Sequence, residues 1–180
     1  MSVKVTADGT LGLYQETIGV SPALQVNSDV PVTIASDLTT TGTFNVNGTM
    51  NATGAPVLLR DIQEATTPKT GATGTVTHNT ATSHIFDHTS IASNFVVNLT
   101  NLNTSLLVGY ATTVTLILHQ GGTAYIPTAV QINGVAQTLR WQGAVPPVGT
   151  ASGTDIVTFS IVRTGSGTTD YYVFGQLTSF

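Results

Sequence analysis

From residue 75 to the carboxyl end, short apolar–polar alternations follow one another at regular spacing, each closed by a turn signal. A period of two sends successive side chains to opposite faces, so each segment reads as a strand with one face for a core. Eight strands are expected, at 75–79, 84–88, 95–101, 112–120, 124–133, 137–142, 155–163 and 171–177. Phe95, Val97 and Leu99 share one face, as do Val114, Leu116 and Leu118, and Val157, Phe159 and Ile161. Gly121-Gly122 reads as a tight hairpin between two strands, Asn133-Gly134 as the strongest hairpin turn in the chain, and Gly165-Ser166-Gly167 as a further one. The expected fold is all-β, with an antiparallel, jelly-roll-like sandwich of two sheets over 75–180.

Composition agrees with strands and narrows the partners. Charged residues are 8% of the 180, against about 25% in an ordinary soluble domain. Threonine is roughly one residue in five. Exposed faces must therefore carry hydroxyls and amides rather than ions, a surface poorly protected against association. A net charge of -4 with five Lys and Arg in the whole chain argues against nucleic acid, which needs a concentration of cations to follow phosphates. No run of apolar residues is long enough to span a bilayer as a helix, so no membrane partner is expected. There is no cysteine, hence no disulfide and no thiolate metal site. The start, Met-Ser-Val-Lys-Val-Thr-Ala-Asp-Gly, lacks the apolar core of a signal peptide, and synthesis in a cytosol without cleaved export is expected.

Ahead of residue 75 the chain changes character. Residues 1–41 hold short strand-like pieces at 3–6, 11–14, 23–26 and 30–34, with Asp8-Gly9 as a hairpin turn and Pro22 and Pro31 confining their segments to edges. Such a segment cannot enclose a core by itself and is expected to dock on something larger. Over 42–55 glycine recurs every six residues, at Gly42, Gly48 and Gly54, with Phe44 and Val46, then Met50 and Ala52, at alternate positions between. One six-residue strand has too little surface to bury, so the repeat needs partners. The two readings are a stalk of three sister chains about one axis, with Phe44, Val46, Met50 and Ala52 in its seam, and a plain hairpin linker. The stalk is the reading taken, which makes a homotrimer the expected state. Residues 56–65 suit a two-turn helix with proline in its first turn, and 66–74 read as a linker. The expected organisation is thus 1–41 docking segment, 42–74 hexad stalk and linker, and 75–180 sandwich.

Chemistry is scarce. His84 and His88 lie four apart with His78 six residues earlier, a spacing that permits a metal site. Polar strand residues facing solvent or a subunit seam explain them better, and no metal or other cofactor is expected. His119, opposite Leu118 in the alternation, reads as an ordinary outer-face residue. Asp61 and Glu64 read as a solvated face. Asp155 and Asp170 each open a strand after a Gly- and Ser/Thr-rich turn, where a carboxylate binds backbone amides. No Ser-His-Asp arrangement, phosphate loop or zinc-protease motif is present, and no catalytic residue is assigned. Trp141 beside Arg140, with Tyr125 and also Tyr110, Tyr171 and Tyr172, are candidates to stack on sugar rings. Burial of Trp141 in the core or a trimer seam is the stronger reading for that residue.

One resemblance covers 75–180. Gly121-Gly122-Thr123-Ala124-Tyr125-Ile126-Pro127, Val130-Gln131-Ile132-Asn133-Gly134, Trp141-Gln142-Gly143, Pro146-Pro147-Val148-Gly149, Asp155-Ile156-Val157-Thr158-Phe159 and Arg163-Thr164-Gly165-Ser166 follow in fixed order, and the chain ends Val173-Phe174-Gly175-Gln176-Leu177-Thr178-Ser179-Phe180. Together they resemble the carboxyl-terminal module of fibre-like or decoration structural proteins in the virions of tailed phages of the marine cyanophage type. The hexads are similar, more weakly, to the β-spiral stalks of such fibres. The resemblance implies a non-enzymatic virion component, trimeric and bound to other capsid or tail proteins. With only two hexads it would be a short fibre, spike or capsid decoration. The alternative is an adhesin that binds a host-surface glycan. A depolymerising tail spike would need paired acidic residues in a groove and a much longer solenoid.

Overall fold

The computed structural model describes residues 63–180 and, as backbone, two strands near the start, β1 (Ser2–Val5) and β2 (Leu11–Tyr14). The chain divides into two compact units, Met1–Val57 and Leu58–Phe180. In the first, β1 and β2 pair antiparallel with Ser2 opposite Tyr14 and Val5 opposite Leu11, and the turn expected at Asp8-Gly9 lies outside the described residues. The hexads with Phe44, Val46, Met50 and Ala52 lie outside the described residues, as does the expected helix up to residue 62. Residues 63–65 have no regular structure.

The second unit holds two sheets around one core. The strands are β3 (Thr66–Thr70), β4 (Gly74–Asn79), β5 (Ile85–Thr89), β6 (Phe95–Thr100), β7 (Ala111–His119), β8 (Pro127–Ile132), β9 (Val135–Gln137), β10 (Leu139–Trp141), β11 (Thr154–Arg163) and β12 (Tyr171–Ser179). One sheet runs β10-β12-β11-β7-β5-β3 and the other β4-β6-β8-β9. The chain visits the sheets alternately from β3 to β8, so β3–β4, β5–β6 and β7–β8 are three successive coils. Strands stacked in this way run the same direction, and β3 with β5, β5 with β7, β4 with β6 and β6 with β8 are all parallel. Parallel neighbours need a long crossover. Here the crossover is the strand contributed to the opposite sheet.

This corrects the antiparallel sandwich expected from sequence. Only β7–β11, β11–β12 and β8–β9 in the second unit are antiparallel. Alternation within a strand is the same for either direction, so periodicity does not report it. Gly121-Gly122 does not close a hairpin, because β7 and β8 belong to different sheets. Asn133-Gly134 does turn β8 into β9, with positive φ at both residues, 49° and 80°. The segment 164–170 with Gly165-Ser166-Gly167 does join β11 to β12. The run 137–142 breaks in two as the chain leaves the smaller sheet at β9 and joins the larger one at β10. Residues 66–74, read as a linker, contain β3, and Pro68 fits there because β3 is the last strand of its sheet in order.

The three shared faces read from sequence are the core. Phe95, Val97, Leu99, Val114, Leu116, Leu118, Val157, Phe159 and Ile161 are all essentially inaccessible, joined by Phe86, Val130, Ile132, Tyr171 and Val173. One end is closed by α1 (Leu102–Ser105), a single helical turn that buries Leu102, followed by buried Leu106. Arg163 fixes this turn by donating from Nη1 to the carbonyls of Asn103 and Leu106, at 2.7 and 2.8 Å. Asparagines tie the coils together at one corner. Asn101 Nδ2 donates to Asn79 Oδ1 at 2.7 Å, and the Asn101 N–H donates to Asn133 Oδ1 at 3.0 Å. Asn79 ends β4, and Asn101 and Asn133 directly follow β6 and β8, so each coil is bonded to the next at the end of its strand in the smaller sheet.

Candidate functional site

Alternation along β12 turns Tyr171, Val173 and Gly175 inward and Tyr172, Phe174 and Gln176 outward. The outward aromatics stay about half exposed, Tyr172 at 49% and Phe174 at 45%. Their rings lie 6.3 Å apart. On one side β10 runs parallel to β12 with Arg140 beside Phe174, and its guanidinium sits over the Tyr172 ring at 5.3 Å. On the other side β11 sets Ser160 beside Phe174 and Thr158 beside Gln176. Arg140, Trp141, Gln142, Thr158, Ser160, Phe174, Gly175 and Gln176 line an open groove of about 180 Å³.

Trp141 forms the wall of this groove rather than its platform. Its ring packs over Gly175, 6.1 Å from the Phe159 ring, and is half-buried against the core. A Cβ on Gly175 would lie 2.7 Å from two carbons of the indole, so the absent side chain is what seats the ring. Tyr125 is elsewhere, half-buried, its backbone N–H and carbonyl both bonded to the Gln120 side chain. Of the sugar-stacking candidates, Arg140 and Trp141 therefore meet, joined by Tyr172 and Phe174. Phe174 was not singled out in the sequence, although its place two residues from Tyr172 on one strand face was the available signal. The groove offers aromatic faces to apolar C–H patches, with hydroxyl, amide and guanidinium donors around them. No carboxylate lines it, and it has no acid–base pair to offer.

The histidines do not form the expected surface group. His78 on β4 and His88 on β5 are wholly buried between the two sheets, with Nε2 facing Nε2 at 2.9 Å. This overturns the reading of both as solvent or seam residues: in each strand the inward register falls on the imidazole. The Phe86 ring meets His78 edge-on at 4.7 Å, and the Phe95 ring stacks on His88 at 5.2 Å. Neither Nδ1 has a hydrogen-bond partner. Desolvation, then the neighbouring His88 and the charge of Lys69, push the His78 pKa down to about 3, with the backbone of Val76 pulling weakly the other way. Desolvation and Lys69 lower that of His88 to about 4, against an opposing pull from Asp87. His84 stays apart, lining a second pocket of about 270 Å³ with Leu106, Leu107 and Tyr110. His119 is on the outer face as expected, its Nε2 2.8 Å from Asp87 Oδ1.

The two strand-opening aspartates bind local amides. Asp155 Oδ2 accepts from the Thr150 N–H and from Gln120 Nε2, both at 2.9 Å, and Asp170 Oδ2 accepts from the Gly167 N–H at 2.8 Å. The described unit is thus an all-β body of two sheets wound in parallel coils, with one aromatic groove on its outer face. No known protein family, curated protein or solved structure matches this chain.

Proposed function

We propose that this chain is a non-enzymatic structural protein of a phage particle: a short trimeric fibre, spike or capsid decoration that projects its carboxyl-terminal β body from the virion. It is made in the host cytoplasm, docks through its first 41 residues on capsid or tail proteins, and trimerises through the hexads. The observation that carries this reading is the outer face of the six-stranded sheet. There Thr113, Thr115, Ile117, Ile156, Thr158 and Ser160 form an uncharged field, between the Asp87–His119 pair and Arg140. A face with so few ions suits a permanent neighbour better than free solvent. The engagement of Asp155 and Asp170 with backbone amides supports a role without acid–base chemistry. Locating the protein in an image of the intact particle tests the reading, and its absence from purified particles overturns it.

A second reading, a host-glycan adhesin, is favoured by the groove at Arg140, Trp141 and Phe174 and by the Tyr172 ring beneath the Arg140 guanidinium. A carbohydrate array probed with the purified protein tests it. Binding that is lost in Tyr172→Ala and Arg140→Ala, with melting unchanged, supports a sugar site there; binding unaffected by either substitution rejects it.

A further inference from the structure

The buried histidines join the two sheets at the first coil. His78 stands on β4, the outermost strand of the smaller sheet, and His88 on β5, next to the outermost strand of the larger one. At 2.9 Å only one of the facing nitrogens can carry a proton, so one imidazole donates and the other accepts. A pair proton-bearing on both sides would set two N–H groups against each other. A single added proton would put a cation among Phe86, Phe95 and Val76, in a core that supplies no counter-ion.

The charged and titratable groups around the pair are few. From β3 comes Lys69, beside His88 in register and of the same sign as an added proton. From β5 comes Asp87, which alternation turns to the other face, where it pairs with His119. β6 contributes Phe95, and β7 contributes Leu118 beside His88, both uncharged.

We propose that the His78–His88 bond is an acid-sensitive latch holding the first coil, β3 and β4, on the rest of the body, and that protonation of the pair releases this coil while later strands stay folded. β3 and β4 come last in their sheets and are ladder-bonded to one neighbour each among the described strands, whereas β5 and β6 are flanked on both sides. Losing the cross-sheet bond therefore frees the first coil before any other. The depressed pKa values of both histidines agree with the direction: the opened coil binds protons more readily than the closed one, so acid favours opening.

Hydrogen exchange on the full chain, expressed as protection relative to the free-peptide rate at each pH, tests this. Between about pH 7 and about pH 5, protection of Thr66–Thr70 and Gly74–Asn79 is expected to fall about tenfold or more, while that of Thr154–Arg163 holds. Loss spread evenly over all strands, or no loss, overturns the latch. The double variant H78L/H88L should flatten the dependence, and a folded double variant that still opens in acid overturns it. Should that variant not fold, imidazole NMR of the unaltered protein decides. Proton uptake confined to the pH range where the coil opens supports the latch; uptake at the ordinary histidine pKa with the coil still protected refutes it.

Discussion

The seat of Trp141 on Gly175 sets two residue effects against each other. Replacing a strand glycine by alanine ordinarily stabilises, by roughly 0.5–1 kcal/mol of backbone entropy. Here the new methyl would meet the indole at 2.7 Å, with Leu139 Cδ1 at 3.1 Å on the same side. Overpacking of this kind costs about 1–3 kcal/mol, and it should win. Gly175→Ala is expected to lower the melting temperature and to shift the emission of the chain's one tryptophan toward that of an exposed indole. Unchanged melting and emission would mean that the ring moves aside freely. Gly121→Ala, where nothing lies within 4 Å, is the control and should be near neutral. Asp155 offers a second residue test. Removing its carboxylate leaves the Thr150 N–H and one of the two N–H groups of the Gln120 amide without an acceptor, at about 1–3 kcal/mol. Asp155→Ala should melt well below the parent and Asp155→Asn, which keeps an oxygen, less so. Equal melting of the two variants would show that the acceptor is not what matters.

Among the elements, β7 carries the most consequence because it belongs to both halves of the design. It is the last coil strand of the larger sheet, parallel to β5, and on its other side it pairs with the antiparallel β11. Its inward residues Val114, Leu116 and Leu118 are fully buried. Leu118→Asp would leave an uncompensated charge in the core, at several kcal/mol, and the body should not fold. Thr113→Lys, one residue from Val114 but on the opposite face, should leave the melting point within about 0.5 kcal/mol of stability. If Leu118→Asp retains the strand spectrum and melting point, the facing of β7 is wrong. Sequence reached this element almost to the residue because its buried and exposed positions alternate without interruption. It did not reach β3. That strand is short, holds Pro68 and Lys69, and has no buried residue of its own, so only pairing with β5 makes it a strand.

For the whole molecule, the expected state is a trimer, and light scattering should give about three times 18.6 kDa. A clean monomer at micromolar concentration would remove the stalk from the account. The coil stack also predicts where the chain can be cut. Residues 63–180 contain every strand of the two-sheet body and should express as a folded β domain. Residues 81–180, without the first coil, uncover Phe86 and His88 and should still fold but melt lower than 63–180. Acid bears on the same scale. Both buried histidines titrate below their ordinary 6.5, so the unfolded chain binds more protons under that pH. Stability should be full above about 6.5 and fall as the pH is lowered toward 4 and 3. A melting temperature flat from pH 7 to 4 would contradict this.

Local chemistry in the sequence determined the all-β class, most strand positions, the three core faces, the Asn133-Gly134 turn and the local role of Asp155 and Asp170. Each of these depends on neighbours within a few residues, where alternation and turn preferences act directly. The tertiary structure alone decided which strands are neighbours. Parallel and antiparallel strands share one alternation, so nothing along β4, β5 or β6 tells that the chain crosses to the other sheet at every turn. The signal that did exist was long in range: Asn79, Asn101 and Asn133 recurring at or just past the ends of three strands of one sheet, meaningful only once coils stack. The same crossing brought His78 against His88 and put Arg140 over Tyr172 in place of Tyr125. Contacts between residues that share no segment arise from how the sheets close on each other, and no stretch of the chain encodes them by itself.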